Sequence, residues 1–105
     1  MEKYQCLVCR KEMEIYHRIK FIDHSCVSKD HNFSWRIQGG QLTKLRIRFL
    51  NDKERLCLKV HYDDKYSEVW GQTGSARIRL DQIIIPDFEN IEILKNKLRT
   101  ILVFH

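Results

Sequence analysis

The stretch YQCLVCRKEMEIYHRIKFIDHSCVSKDH, residues 4–31, decides how this chain is read. Cys6 and Cys9 form a Cys-x-x-Cys pair, and after sixteen intervening residues Cys26 and His31 form a Cys-x4-His pair. A structural zinc ion takes four thiolate or imidazole donors in tetrahedral array, and two short pairs separated by a hairpin-sized insert supply them economically. The spacing therefore predicts a closed structural Zn2+ site built from Cys6, Cys9, Cys26 and His31. His24 is the competing fourth donor, because residues two apart in an extended chain project to the same side, as His24 and Cys26 would. Iron also accepts thiolates, so the donor set alone leaves the metal open.

Cys-x-x-Cys is a redox motif too, but that chemistry needs a strand-to-helix context and a low-pKa thiol at a helix start, and the surrounding residues suggest neither. Disulfides would require an oxidising compartment. The opening Met-Glu-Lys-Tyr-Gln lacks the apolar core of an export signal, so the thiols are expected to stay reduced in the cytoplasm. No apolar run approaches the ~18 residues of a membrane span. Hydrophobic residues at 43%, charged residues at 31% and a single proline indicate one globular domain of 105 residues, small enough for a metal staple to matter.

Beyond Cys9 the pattern is mostly of period two. MEIYHRIKFI, residues 13–22, is rich in β-branched and aromatic residues and reads as a strand, with His17 a partly buried histidine on its apolar side. Asp23-His24-Ser25 reads as a turn into Cys26, and Phe33, Trp35 and Ile37 alternate in a second strand. Gly39-Gly40 marks a hairpin turn. Leu45, Ile47 and Phe49 then alternate with Lys44, Arg46 and Arg48, a turn falls at Asn51-Asp52-Lys53, and Leu56, Leu58 and Val60 alternate with Arg55, Cys57 and Lys59. Residues 66–70 make a short strand after the turn Asp63-Asp64-Lys65, and residues 76–85 a last one ended by Pro86. Asp87 and Asn90 are good helix caps, and Ile91, Leu94, Leu98, Ile101 and Leu102 recur at helical spacing, with Val103 and Phe104 expected to join the core.

The net charge of +5 is concentrated. Residues 36–79 carry ten Lys and Arg against five Asp and Glu, whereas residues 1–35 carry six against five and residues 80–105 three against four. Lys44, Arg46, Arg48, Arg55 and Lys59 share the polar side of one predicted hairpin. Such a face either sits solvated, its long side chains covering the strands, or meets a polyanion that relieves like charges standing close together. Paired Asp63 and Asp64 lack a histidine or glutamate that would complete a site, and Gly71-x-x-Gly74 lacks the lysine and following helix of a phosphate loop.

The Cys-x-x-Cys with its second Cys/His pair is similar to zinc-ribbon modules. The whole layout, closing on IPDFENIEILKNKLRTILVF, resembles small uncharacterised proteins encoded by tailed bacteriophages. That resemblance implies action in the cytoplasm of an infected bacterium and carries over no catalytic residue. The expected fold is α+β: a zinc-ribbon-like hairpin over residues 1–38, antiparallel strands over 39–85 and one helix over 87–102 packed on the sheet. The expected function is non-catalytic binding, with nucleic acid on the basic face; the alternative is a protein-interaction factor that modulates host or phage transcription, defence or replication. Four soft donors would close a zinc shell against catalytic water, and no nucleophile–base pair is legible elsewhere.

Overall fold

Alternation of apolar and polar residues dictates most of the backbone, and the computed structural model describes it for residues 2–6, 8–15, 21–28, 30–51, 53–82 and 90–104. In chain order these form β1 (Glu2–Gln5), β2 (Glu12–Ile15), β3 (Phe21–Ser28), β4 (His31–Gln38), β5 (Gln41–Phe49), β6 (Cys57–His61), β7 (Tyr66–Gly71), β8 (Gly74–Arg79), a single 3-10 turn (Leu80–Gln82) and α1 (Ile91–Phe104). The fold is α+β, as the sequence predicts. β1 and β2 pair as a separate antiparallel hairpin, and β3 to β8 form one sheet in which each strand pairs with the next. Such a meander needs only short connections.

The Gly39-Gly40 turn is as expected. Gln38 faces Gln41 across a two-residue connection, and both glycines adopt positive φ, 59° and 77°, the mirror-image turn that matches the twist of a hairpin. Counting back from it, β4 runs through Ile37, Trp35 and Phe33 to His31, and its full length pairs with β3 from Phe21 to Ser28.

Here the structure corrects the sequence reading. Asp23, His24 and Ser25 lie within β3 rather than in a turn, and the chain reverses after Ser28, which faces His31. The two described ends of the expected strand 13–22 fall in different sheets: β2 ends at Ile15 and Phe21 opens β3, while residues 16–20 lie outside the described residues. His17 lies outside the described residues, as do Asp52, residues 83–85, Pro86 and Asp87. The last strand stops at Arg79, where the Gln82 side-chain carbonyl accepts the Arg79 N–H at 3.1 Å. The helix starts at Ile91 directly after Asn90, and Val103 is 76% exposed instead of entering the core.

Register gives the sheet two chemically distinct faces. One carries Phe33, Leu45, Ile47, Phe49, Leu58, Val60, Val69 and Ile78, all buried, and α1 lays Ile91, Leu94 and Leu98 on the β7–β8 end of it. At the other end Val8, Cys26 and Trp35 pack against the same core. Arg99 donates to Glu54 at 2.7 Å and ties the helix to the β5–β6 connection. The opposite face is built of three cross-strand rows: Asp23–Arg36–Lys44–His61–Tyr66–Arg79, Ser25–Ser34–Arg46–Lys59–Glu68–Arg77 and Val27–Asn32–Arg48–Cys57–Trp70–Ser75.

Candidate metal centre and basic sheet face

Cys6 follows β1 and Cys9 sits in the tight turn before β2. The Cys6 N–H donates to the Lys11 carbonyl at 2.9 Å and the Arg10 N–H to the Cys6 carbonyl at 3.1 Å, which folds the chain back around the first sulfur. The turn closes with Arg10 at φ 66°, a left-handed conformation that glycine adopts at less cost. The Val8 N–H points at Cys6 Sγ from 3.4 Å, the amide-to-sulfur contact of a metal-binding knuckle.

The other two donors come from the flat of a strand. His24 and Cys26, two apart on β3, project from the core face toward this turn, each between neighbours of β4: His24 faces Trp35 and Cys26 faces Phe33. Cys6, Cys9, His24 and Cys26 thus bring four ligand atoms within 4.8 Å of one another. Cys6 Sγ stands 3.7 Å from Cys26 Sγ, and Cys9 Sγ 3.1 Å from His24 Nε2. Two sulfurs bound to one tetrahedral zinc at ~2.3 Å are ~3.8 Å apart, so the sulfur pair already has the separation the ion requires. Donor number, donor chemistry and spacing all fit a four-coordinate thiolate-rich site.

Electrostatics prepare the same site. Burial pushes the Cys6 thiol up, but hydrogen bonds from the backbone of Cys9 and Val8 and from the Trp35 indole outweigh it and bring the thiol down to about 6. Trp35 Nε1 lies 3.5 Å from that sulfur. Burial, followed by the hydrogen bond and charge of Cys6, pushes Cys26 up to about 12. One sulfur is therefore a ready anion while its neighbour keeps its proton until a cation arrives, so metal uptake must release protons and weakens as pH falls.

The fourth donor is the main correction: the structure brings His24, not His31, to the three cysteines. His31 opens β4 beyond Cys26, on the side away from the knuckle. It is 8% exposed, and its ring meets Phe49 edge-on at 5.2 Å and Phe33 at 6.0 Å. The Cys-x4-His spacing suggests a ligand pair, but the strand continues through His24 and Cys26 to Ser28, and its parity puts His24 beside Cys26 instead. Replacing His24 with Ala is expected to weaken zinc affinity by at least tenfold, whereas His31→Ala should keep one equivalent of metal. A competitive chelator titration of both variants checks this, and the reverse order of effects would refute the assignment.

Lys44, Arg46, Arg48 and Lys59 lie together on the outer sheet face, with Arg46 directly opposite Lys59, and Arg55 adjoins them at φ 55° just before β6. Two neighbouring cations of this face, Arg36 and Arg79, are ion-paired. Asp23 accepts two hydrogen bonds from Arg36, at 2.7 and 2.9 Å, which hold its carboxyl below the usual range, and Arg79 pairs with Asp81 at 3.6 Å. Among the described residues no carboxylate forms an ion pair with Lys44, Arg46, Arg48, Arg55 or Lys59. Glu68, across from Lys59, is engaged by His61 at 3.2 Å.

Among the described residues no helix is long and apolar enough to cross a membrane. No protein-family model, curated protein or solved structure matches this chain, so its metal centre and its basic face stand on their own geometry.

Proposed function

We propose that this chain is a non-catalytic binding module in which a structural zinc ion staples the amino-terminal knuckle to the sheet, and the opposite, basic face holds nucleic acid. The observation that carries the second half is the crowding of like charge on that face: Arg46 opposite Lys59, flanked by Lys44, Arg48 and Arg55, with no carboxylate ion-paired to these five among the described residues, the nearest acids being Asp23, in the field of Lys44, and Glu68, across from Lys59. Like charges at that spacing repel, and a phosphate backbone relieves the repulsion while releasing its own counterions. The zinc reading rests on three thiolates and one imidazole, a set that fills a tetrahedral shell and leaves no position for a reactive water.

Binding through phosphates alone predicts weak sequence preference and steep salt dependence. Each phosphate contact contributes about −0.7 to −0.9 to the slope of log K against log salt, so three to five contacts give a slope of about −2 to −4.5. Electrophoretic titration at two salt concentrations measures it. The double reversal Arg46→Glu with Lys59→Glu should abolish retardation while leaving metal content intact. Retention of full affinity in that variant, or absence of binding even at low salt, would remove the proposal.

A second reading has its own support. Phe21 and Val27 are exposed on edge strand β3, on the same face as the cations, as an interface with another protein would use them. In the phage setting implied by the sequence resemblance, such a surface would redirect a host protein in the bacterial cytoplasm. Pull-down from bacterial lysate with and without nuclease separates the two, because a nuclease-resistant partner favours the protein.

A further inference from the structure

We infer that the basic face takes single-stranded nucleic acid, with one base stacked on the indole of Trp70 and the adjoining phosphates held by Arg46, Arg48, Arg55 and Lys59; this rests on the nucleic-acid reading above and narrows its ligand class. Most aromatic rings near this face are already engaged. Tyr66 is taken: His61 stacks on it at 4.5 Å and 15°, and the Arg77 guanidinium lies 3.8 Å from its ring centre. Tyr62 packs against the core, where burial pushes its hydroxyl upward. Phe21 carries Arg36 at 4.4 Å, and Trp35 faces inward to Cys6.

Trp70 differs from all of these. It is 50% exposed on the outer face, and its cross-strand neighbours are Cys57 and Ser75, side chains too small to cover an indole. Among the described residues no ring or cation stacks on it. The groove beside it is lined by Arg46, Arg48, Arg55 and Lys59, with Glu68 the one acid among the described residues. An open ring at the end of a cationic groove is the arrangement that binds unpaired strands: the ring takes a base and the cations follow the backbone. A duplex cannot use the ring, because its bases are already covered on both faces by their neighbours and offer only edges.

The test is fluorescence anisotropy of a labelled oligothymidylate and of a duplex of equal length, titrated with zinc-loaded full-length protein at low salt. The single strand should bind at least tenfold more tightly. Trp70→Ala should weaken single-strand binding by about five- to a hundredfold, while Trp70→Phe keeps most of it, since stacking needs a π-face and not the indole nitrogen. The salt slope should be unchanged by Trp70→Ala and should fall by about one with Arg48→Ala, which separates stacking from charge. Because Trp70 is outside the core, metal content and melting temperature of these variants should match the parent. Equal affinity for both probes together with an inert Trp70→Ala would overturn the stacking and leave the basic-face reading standing. Absence of binding to either probe would overturn both.

Discussion

Cys6→Ser is expected to lose the single metal equivalent and with it the attachment of the amino-terminal hairpin to the sheet. Cys6 is the most buried of the four donors, its sulfur is the one that the Val8 amide and Trp35 indole address, and it lies 3.7 Å from Cys26. A hydroxyl in its place offers zinc a far weaker donor and leaves the two N–H groups without their anionic acceptor. A ligand present at a thousand times its dissociation constant stabilises the folded state by about 4 kcal/mol, a sizeable share of the ~5–15 kcal/mol that folded domains possess. The variant, and equally the parent after chelation, should melt well below the zinc-loaded protein, and the two should melt together. Elemental analysis with thermal melting decides the matter. A Cys6→Ser protein that retains one equivalent, or a parent whose melting is indifferent to chelator, would dissolve the metal assignment. Cobalt substitution adds an independent check, because three thiolates should give an intense charge-transfer band that Cys6→Ser weakens.

The loss should be graded along the chain rather than complete. β1 and β2 pair with each other in a sheet of their own, so among the described residues the contacts that hold the knuckle on the sheet without the ion are those of Val8 and Cys6. β5 to β7 carry Ile47, Leu58, Val60 and Val69, all fully buried, and α1 packs on β7 and β8. Hydrogen exchange on the metal-free protein should therefore be fast in residues 2–15 and β3, and slow in β5 to β7.

How far this could be read from sequence depends on which signals were local. Alternation from Gln41 to Phe49 and the double glycine before it are local and unambiguous, and they place the central hairpins and the cationic face correctly. The helix was legible for the same reason, its stripe of Ile91, Leu94 and Leu98 being the buried one. The donor set was legible as chemistry but not as geometry. Asp, His and Ser at 23–25 have turn propensity, and only the demand of β4 for a partner along its full length holds them extended. That demand is non-local: it follows from counting outward from Gly39-Gly40, which puts Phe21 opposite Gln38 and Ser28 opposite His31. Once that register is drawn, the parity that puts His24 beside Cys26 is automatic. Tyr62, Tyr66 and Trp70 are legible as aromatics beside the basic face, but which of them keeps an open ring is not, since they look alike until their neighbours across the strands are known.

Leu98→Ala is the second large effect. Leu98 is fully buried at the middle of the α1 stripe, between Leu94 and the partly buried Ile101 and Leu102, in the same core cluster as Val69 and Ile78 of the β7 and β8 strands on which the helix packs. A helix of 14 residues is marginal in isolation, so α1 exists because this stripe is covered. Truncating a buried leucine costs about 2–5 kcal/mol, the larger values applying where the surroundings do not collapse into the space. For a domain of this size that corresponds to a fall of roughly 10–30 °C in melting temperature. Ile93→Ala on the same helix is the control: at 70% exposure it should change stability by no more than about 0.5 kcal/mol. Leu98 and the metal donors sit at opposite ends of one face yet belong to one contiguous core that runs from Leu98 through Leu58 and Ile47 to Phe33, with Cys26 and Val8 packed on its far end. Zinc-loaded Leu98→Ala should therefore still bind one equivalent while unfolding earlier in a single transition, and the effects of mutation and chelation on stability should add. Two separated transitions in the zinc-loaded variant would instead mean that the knuckle and the helix stabilise independent cores.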